Sequence, residues 1–286
     1  MTIERVFVAG AGLMGHGIGQ VHAAAGKRVV LYEPDHARAT AGRDRIAGSL
    51  ARSVAKGRLD QSAAEAILER ISTADDPAAV ADADLIVEAV FEDPAVKTAL
   101  FATLDRLAPP AAIFASNTSS ISIDRLAAAV AEDRRSRFVG MHFFSPVPVM
   151  PLVELIRGSA TSEATEAAIR ADADALGKQV IVSADRPGFI VNRILMPFLA
   201  EAIRALEEGI GTADDIDTGA RIGLNHPMGP LELADFIGLD VCLNVMRVLY
   251  EGLGDERFRP PALLESLVAD GHLGQKTGRG FHTYPR

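Results

Sequence analysis

The string Gly10-Ala11-Gly12-Leu13-Met14-Gly15 constrains this chain most. It follows a short run, Ile3-Glu4-Arg5-Val6-Phe7-Val8, that reads as a strand. Met14, Ile18, Val21 and Ala25 then recur at helical spacing, Gly26-Lys27 ends the helix, and Arg28-Val29-Val30-Leu31-Tyr32-Glu33 reads as a second strand. That is a βαβ unit with a right-handed crossover. In this setting the glycines have separate tasks: Gly10 permits a tight turn, Gly12 lets a pyrophosphate approach the backbone, and Gly15 lets helix and strand pack closely. The helix that starts at Leu13 and Met14 offers its N–H groups and positive dipole end to the phosphates. Glu33 closes the second strand, where a carboxylate accepts from both adenosine ribose hydroxyls and repels a 2′-phosphate. The expected cofactor is therefore NAD, although Arg38 lies nearby.

Further along, 84–90, 112–116, 137–141, 152–156 and 180–182 read as buried strands, and helical patterns near 95–107, 121–132 and 162–176 separate some of them. Residues 36–72 read as a hairpin of two helices. The pattern predicts an α/β fold: a Rossmann-type, doubly wound, mainly parallel sheet with a helical hairpin insertion, spanning residues 1–184. Asp185-Arg186-Pro187-Gly188 reads as a linker, and from 189 onward only helical patterns appear, at about 189–208, 212–222, 229–250 and 260–271. Residues 185–286 are expected to form an all-α C-terminal domain for substrate binding and dimerisation. The stretch 229–250 is apolar on nearly all sides, which demands burial. It reads either as the central helix of that small domain or as a surface covered by a second subunit, and a homodimer through the helical domain is expected.

Composition narrows the class. A hydrophobic fraction of 48% supports a substantial core, and a formal net charge of −9 disfavours nucleic acid and anionic membranes as partners. No uncharged apolar run reaches the roughly 18 residues that a membrane span needs. With a strand at the N-terminus no signal sequence is expected, and the single cysteine, Cys242, forbids an intrachain disulfide. A cytoplasmic setting is expected. The histidines and Cys242 lack metal-ligand spacing, so no metal is expected. His22 and His36 read as surface or helix residues without a functional role, and His16 as a residue lining the phosphate loop.

Two features suggest chemistry. His142 ends a strand at the sheet edge where ligands of this fold bind, and Glu154 lies on the next strand beyond a Pro-rich turn that can fold back. A histidine oriented by a carboxylate suits removal of an alcohol proton, while on spacing alone His142 reads equally as a strand-end residue. Residues 38–58 hold six basic residues against one acid, with Arg45, Ser49, Arg52 and Lys56 on one helical face. Such a stripe suits a polyphosphate ligand, or is a solvated face.

Longer strings carry a resemblance. Ser116-Asn117-Thr118-Ser119-Ser120, Gly140-Met141-His142-Phe143-Phe144-Ser145-Pro146, Pro187-Gly188-Phe189-Ile190-Val191-Asn192-Arg193, Asn225-His226-Pro227-Met228-Gly229-Pro230 and Gly274-Gln275-Lys276-Thr277-Gly278 follow one another in order. Together with the glycine loop, and over essentially the whole chain, they resemble the L-3-hydroxyacyl-CoA dehydrogenase family, in the short stand-alone form that includes 3-hydroxybutyryl-CoA dehydrogenases. The resemblance implies reversible NAD-dependent oxidation of a 3-hydroxyacyl-CoA to the 3-ketoacyl-CoA. It implies that His142 is the catalytic histidine and Glu154 its partner. Ser119 and Asn192 match polar residues at the substrate; Glu92, Lys97, Ser119, Ser145 and Lys276 match cofactor-contacting positions; Ser49 and Lys56 match coenzyme A contacts. Many members carry Asn at the position of Ser145, and serine offers a shorter side chain with one hydroxyl in place of an amide. A dehydrogenase of a free hydroxy acid, or a protein that kept the fold without the activity, are the alternatives. Phe143-Phe144 and the basic stripe favour the thioester over the first, and the His142–Glu154 pair speaks against the second.

Overall fold

The computed structural model describes residues 2–285, which form two compact units dividing between Arg186 and Pro187. The first unit is built on an eight-stranded sheet of order β3-β2-β1-β4-β5-β6-β7-β8. Its strands are β1 (Arg5–Ala9), β2 (Arg28–Tyr32), β3 (Ile71–Ala74), β4 (Leu85–Glu88), β5 (Ile113–Ser116), β6 (Phe138–Phe143), β7 (Leu152–Arg157) and β8 (Gln179–Ala184). Its helices are α1 (Leu13–Ala24), α2 (His36–Ala55), α3 (Gln61–Glu69), α4 (Pro94–Asp105), α5 (Ile123–Ala127) and α6 (Glu163–Ala175). Strand pairing is parallel from β3 through to β6, antiparallel between β6 and β7, and parallel between β7 and β8. The chain reverses its winding between β1 and β4, so the loops that leave those strands flank the crevice where doubly wound sheets take ligands.

Near-continuous apolar runs in β1, β4 and β5 bury both faces of the sheet, as parallel strands covered on two sides require. Sequence and structure differ at the sheet edge. The helical reading of 36–72 runs two residues too far, because Ile71-Ser72-Thr73-Ala74 pairs with β2 as strand β3. Neither glycine nor proline separates it from α3, and it offers a single large apolar residue, so periodicity alone does not mark it. The helical pattern at 121–132 shrinks to the short α5, followed by a 3₁₀ turn at Glu132–Arg137.

His22 lies in α1, the helix alternative of its sequence reading, and is fully buried rather than at the surface. Its Nδ1 bonds the Ile18 carbonyl oxygen at 2.8 Å, and its Nε2 meets Asp172 of α6 at 3.1 Å. The Lys27 ammonium donates to the other oxygen of Asp172. Burial alone would raise the Asp172 carboxyl, but the His22 bond and the charges of His22 and Lys27 outweigh it and hold Asp172 below the usual range. This cluster ties the end of α1 to α6. The partners lie 150 residues apart, which no local pattern reveals.

The second unit is all-helical: α7 (Val191–Glu207), α8 (Ala213–Thr218), α9 (Pro230–Ile237), α10 (Leu239–Leu253) and α11 (Ala262–Ala269), with a π turn at Gly219–Gly223. The expected helix over 229–250 is two helices. Gly238, at φ 104°, breaks it between α9 and α10. The break re-aims the apolar residues, so that Leu231, Leu239, Leu243, Met246 and Leu249 enter the core while Phe236 and Val241 stay exposed. Apolarity on all sides was thus two amphipathic faces read as one. Asp217 accepts from the N–H groups of Leu231 and Glu232 at the start of α9, and Asp235 accepts from the Phe281 and His282 amides and the Tyr284 hydroxyl, which holds the C-terminal segment on this unit. Cys242 is buried here, and burial with Asp240 and Asp235 nearby pushes its thiol up to about 12, so it is no nucleophile at neutral pH. Among the described residues no helix is long and apolar enough to cross a membrane.

Asp172 supplies a stability test. A carboxylate held low in the folded state stabilises above the unfolded aspartate range, near 4, and that contribution fades as pH falls through the lower folded value. Asp172→Asn leaves two buried donors facing no anion and should cost about 3 kcal/mol in urea unfolding at pH 7. The gap between wild type and variant should narrow below about pH 4.

Candidate active site

The glycine loop follows β1. Gly10 sits at φ 103°, and a Cβ there would meet the Ala89 carbonyl oxygen at 2.5 Å. A Cβ on Gly15 would fall 1.7 Å from the Gly10 carbonyl oxygen, so loop and helix can close only without a side chain. Around Gly12, by contrast, nothing lies within 4 Å of a would-be Cβ, which leaves room for a ligand against the backbone. Gly12 caps α1 with no side-chain bond, so the amides of the first turn, from Leu13 and Met14 on, present a helix N-terminus. Glu33 lies beside the loop just past β2, its Oε1 accepting from the Ala11 amide at 2.9 Å. His16 turns back to the loop, its Nδ1 2.7 Å from the Gly12 carbonyl oxygen. Open space at Gly12, a helix N-terminus and an adjacent carboxylate together fit a dinucleotide.

His142 and Glu154 stand directly opposite each other in the β6–β7 register. Directly paired residues of an antiparallel ladder share one face of the sheet. The His142 Nδ1 is accordingly 2.9 Å from Glu154 Oε2, with both groups buried. The other ring nitrogen, Nε2, lies 3.0 Å from the Ser119 hydroxyl. The Phe144 ring packs 4.7 Å from the imidazole centroid to centroid, and Ser145 next to it is exposed. Asn117 Oδ1 accepts from the Phe143 amide at 2.8 Å, tying the loop after β5 to the end of β6. His142, Glu154 and Ser119 are thus brought together from three strand ends.

Beneath Ser119 lies a charged network. Glu92 Oε1 accepts from the Thr118 hydroxyl at 2.5 Å, the Ser119 amide at 2.9 Å, and the Ser120 amide and hydroxyl at 3.2 and 3.0 Å. Lys97, almost fully buried in α4, reaches Glu92 Oε2 at 3.1 Å and Glu88 Oε1 at 2.6 Å. Glu88 also accepts from the Val90 amide and the Ser116 hydroxyl. Burial pushes the Glu88 carboxyl up despite Lys97 and Ser116. For Glu92 burial acts the same way but is outweighed by Lys97 and the loop donors, which hold it low. Lys97, expected among cofactor contacts, is committed to these two carboxylates. Glu88, Ser116 and Thr118 are absent from the expected site. An acid closing the apolar strand Leu-Ile-Val-Glu, with a lysine nine residues on, was the available signal.

On α2, Arg45 donates to the Ala11 carbonyl oxygen at 3.2 Å, and with His16, Ala41, Asp44, Gly48 and Arg52 it lines an open cavity of about 490 Å³. Ser49 lies one helical turn from Arg45, and Lys56 stands at the end of the helix. Arg43, another basic residue of α2, bonds the carbonyl oxygens of Ile71 and Leu68. In the second unit, Asn192 occupies the first turn of α7, and Lys276 is paired with Asp240 at 2.5 Å.

Comparison with known proteins matches both units. Residues 5–186 fit the family model for the 3-hydroxyacyl-CoA dehydrogenase NAD binding domain, and residues 188–284 fit that for the 3-hydroxyacyl-CoA dehydrogenase C-terminal domain. The chain is 51% identical over 283 residues to a 3-hydroxybutyryl-CoA dehydrogenase of Bradyrhizobium diazoefficiens, covering 99% of this chain and 96% of that one. It is 42% identical over 292 residues to the mitochondrial hydroxyacyl-coenzyme A dehydrogenase of Homo sapiens, covering 99% and 92%. The solved structure of an (S)-3-hydroxybutyryl-CoA dehydrogenase from Ralstonia eutropha superposes with a TM-score of 0.96 at 44% identity, each chain covered in full.

Proposed function

Since the chain belongs to the 3-hydroxyacyl-CoA dehydrogenase family, we propose a role for each residue of the site in that family's reaction. The chain is an NAD-dependent oxidoreductase that interconverts L-3-hydroxyacyl-CoA and 3-ketoacyl-CoA. We assign 3-hydroxybutyryl-CoA as its substrate, a reading supported by the names of its relatives.

When bound, NAD supplies the acceptor for the hydride that leaves C3 of the substrate. Gly10, Gly12, Gly15 and the amides of Leu13 and Met14 hold its pyrophosphate, and Glu33 takes the adenosine ribose. His142 Nε2 removes the 3-hydroxyl proton and returns it in the reverse direction. Glu154 on Nδ1 keeps the proton on that nitrogen, so Nε2 carries the lone pair, and it stabilises the imidazolium once formed. Ser119 shares Nε2 with the substrate hydroxyl and holds it in line. The observation that carries this reading is the double engagement of His142, with a buried carboxylate on one nitrogen and a partly exposed hydroxyl on the other. Arg45, Ser49, Arg52 and Lys56 receive the phosphates of coenzyme A, a use that a free hydroxy acid would not have for them. Asn192 is assigned to the substrate, and Ser145 and Lys276 to the cofactor, on the resemblance.

The second unit exposes six large apolar side chains, Ile194, Ile210, Ile222, Leu224, Phe236 and Val241. We assign them to a homodimer. Sedimentation at micromolar concentration should give a dimer; a monomer would reject the assignment. His142→Gln should lower kcat about 1,000-fold while NADH affinity stays within about twofold. Near-normal turnover would remove His142 from the mechanism.

A further inference from the structure

The 118–120 loop carries Ser119, yet little in the loop itself fixes that hydroxyl. A serine side chain has three staggered rotamers, and a surface loop is mobile unless its backbone groups are tied. Thr118 Oγ1 accepts from the Ser120 and Ile121 amides and Ser116 Oγ from the Thr118 amide, and four further ties converge on one atom. Glu92 Oε1 receives the amides of Ser119 and Ser120 together with the hydroxyls of Thr118 and Ser120. Successive amides wrapped on an anionic oxygen form a nest, and charge-assisted bonds of this kind are about twice as strong as neutral ones. The carboxylate is held from behind by Lys97, which also binds the fully buried Glu88. Glu88 in turn joins the end of β4 to the end of β5 through the Val90 amide and the Ser116 hydroxyl. One chain of contacts therefore runs from Glu88 through Lys97 and Glu92 to the Ser119 backbone, and through the Ser119 hydroxyl to His142 Nε2.

We propose that Glu92 is a positioning residue: its carboxylate, backed by Lys97 and Glu88, sets the 118–120 loop so that the Ser119 hydroxyl stays on His142 Nε2. The proposal rests on the reading of His142 as the base. It departs from the resemblance, which places Glu92 among cofactor contacts. Both oxygens of Glu92 are engaged by protein donors, Oε1 by the loop and Oε2 by Lys97, so the carboxylate is already oriented by the protein itself. Removing Glu92 takes away the anionic acceptor shared by two amides and two hydroxyls of the loop, and with it the tie that sets the approach of Ser119. Misplacement of a reacting group by about 1 Å can cost on the order of 100-fold in rate.

The test is a double-mutant cycle with acetoacetyl-CoA and NADH. Glu92→Ala leaves the Lys97–Glu88 pair one to one, so the variant keeps a balanced interior. It should lower kcat about 30-fold with the dissociation constant of NADH, read by fluorescence, changed by less than about twofold. In a Ser119→Ala background the same substitution should cost less than about twofold more. Ser120→Ala, which removes one donor at a partly exposed position, should lower kcat about threefold at an unchanged melting temperature, again only while Ser119 is present. Losses that multiply in the double variants would overturn the proposal, as would NADH affinity that falls in step with kcat. A fully active Ser119→Ala would overturn it together with the role given to Ser119 above; a costly Ser119→Ala with multiplying losses would overturn the positioning role alone.

Discussion

His142 and Glu154 face each other because β7 runs against β6. In an antiparallel ladder a direct pair shares a face with side chains in reach, and a slip of one residue would send Glu154 to the other side. The register is secured by what surrounds it. Val153 and Leu155 bury opposite Phe143 and Met141, and β8 pairs along β7 from Leu152 to Arg157. The carboxylate has no freedom to search for the imidazole; the sheet delivers it. The winding reversal between β1 and β4 places the glycine loop and the Glu92 loop on either side of one crevice. The parallel half of the sheet thus carries the glycine loop proposed for the cofactor, and the reversed strand supplies the carboxylate that pairs with His142.

Buried charge is the price of this arrangement, and the chain meets it by sharing. A buried ion without a partner is strongly destabilising, and even a good pair gains little over apolar packing. Lys97 is therefore flanked by two carboxylates, and Asp172 by His22 and Lys27. The Asp172 cluster ties α1 to α6. The Glu88–Lys97–Glu92 chain ends at the loop carrying Ser119, where rigidity has a use beyond holding the fold.

What was legible in the sequence follows from range. The βαβ unit, the tight turn at Gly10, the close packing at Gly15 and the place of Glu33 beside the loop are local, and periodicity with glycine spacing marks them. The pairing of His142 with Glu154 was also within reach, since two strands joined by a Pro-rich turn suggest a fold-back. Strand β3 escaped because an edge strand with one large apolar residue carries little alternation. The break at Gly238 escaped because two amphipathic helices joined by a single glycine resemble one all-apolar helix. His22 and Asp172, or Glu92 and the Ser119 loop, meet only through tertiary structure, so their residue types gave no sign of each other.

In the proposed mechanism the strand register makes His142 Nε2 the basic nitrogen by fixing the proton on Nδ1. Nitrogen-15 NMR of the imidazoles, with His142 assigned by its disappearance in His142→Gln, reads that tautomer directly. In the NAD complex the neutral form of His142 should show a protonated, pyrrole-type Nδ1 and a pyridine-type Nε2. The opposite tautomer, with the proton on Nε2, would contradict that mechanism.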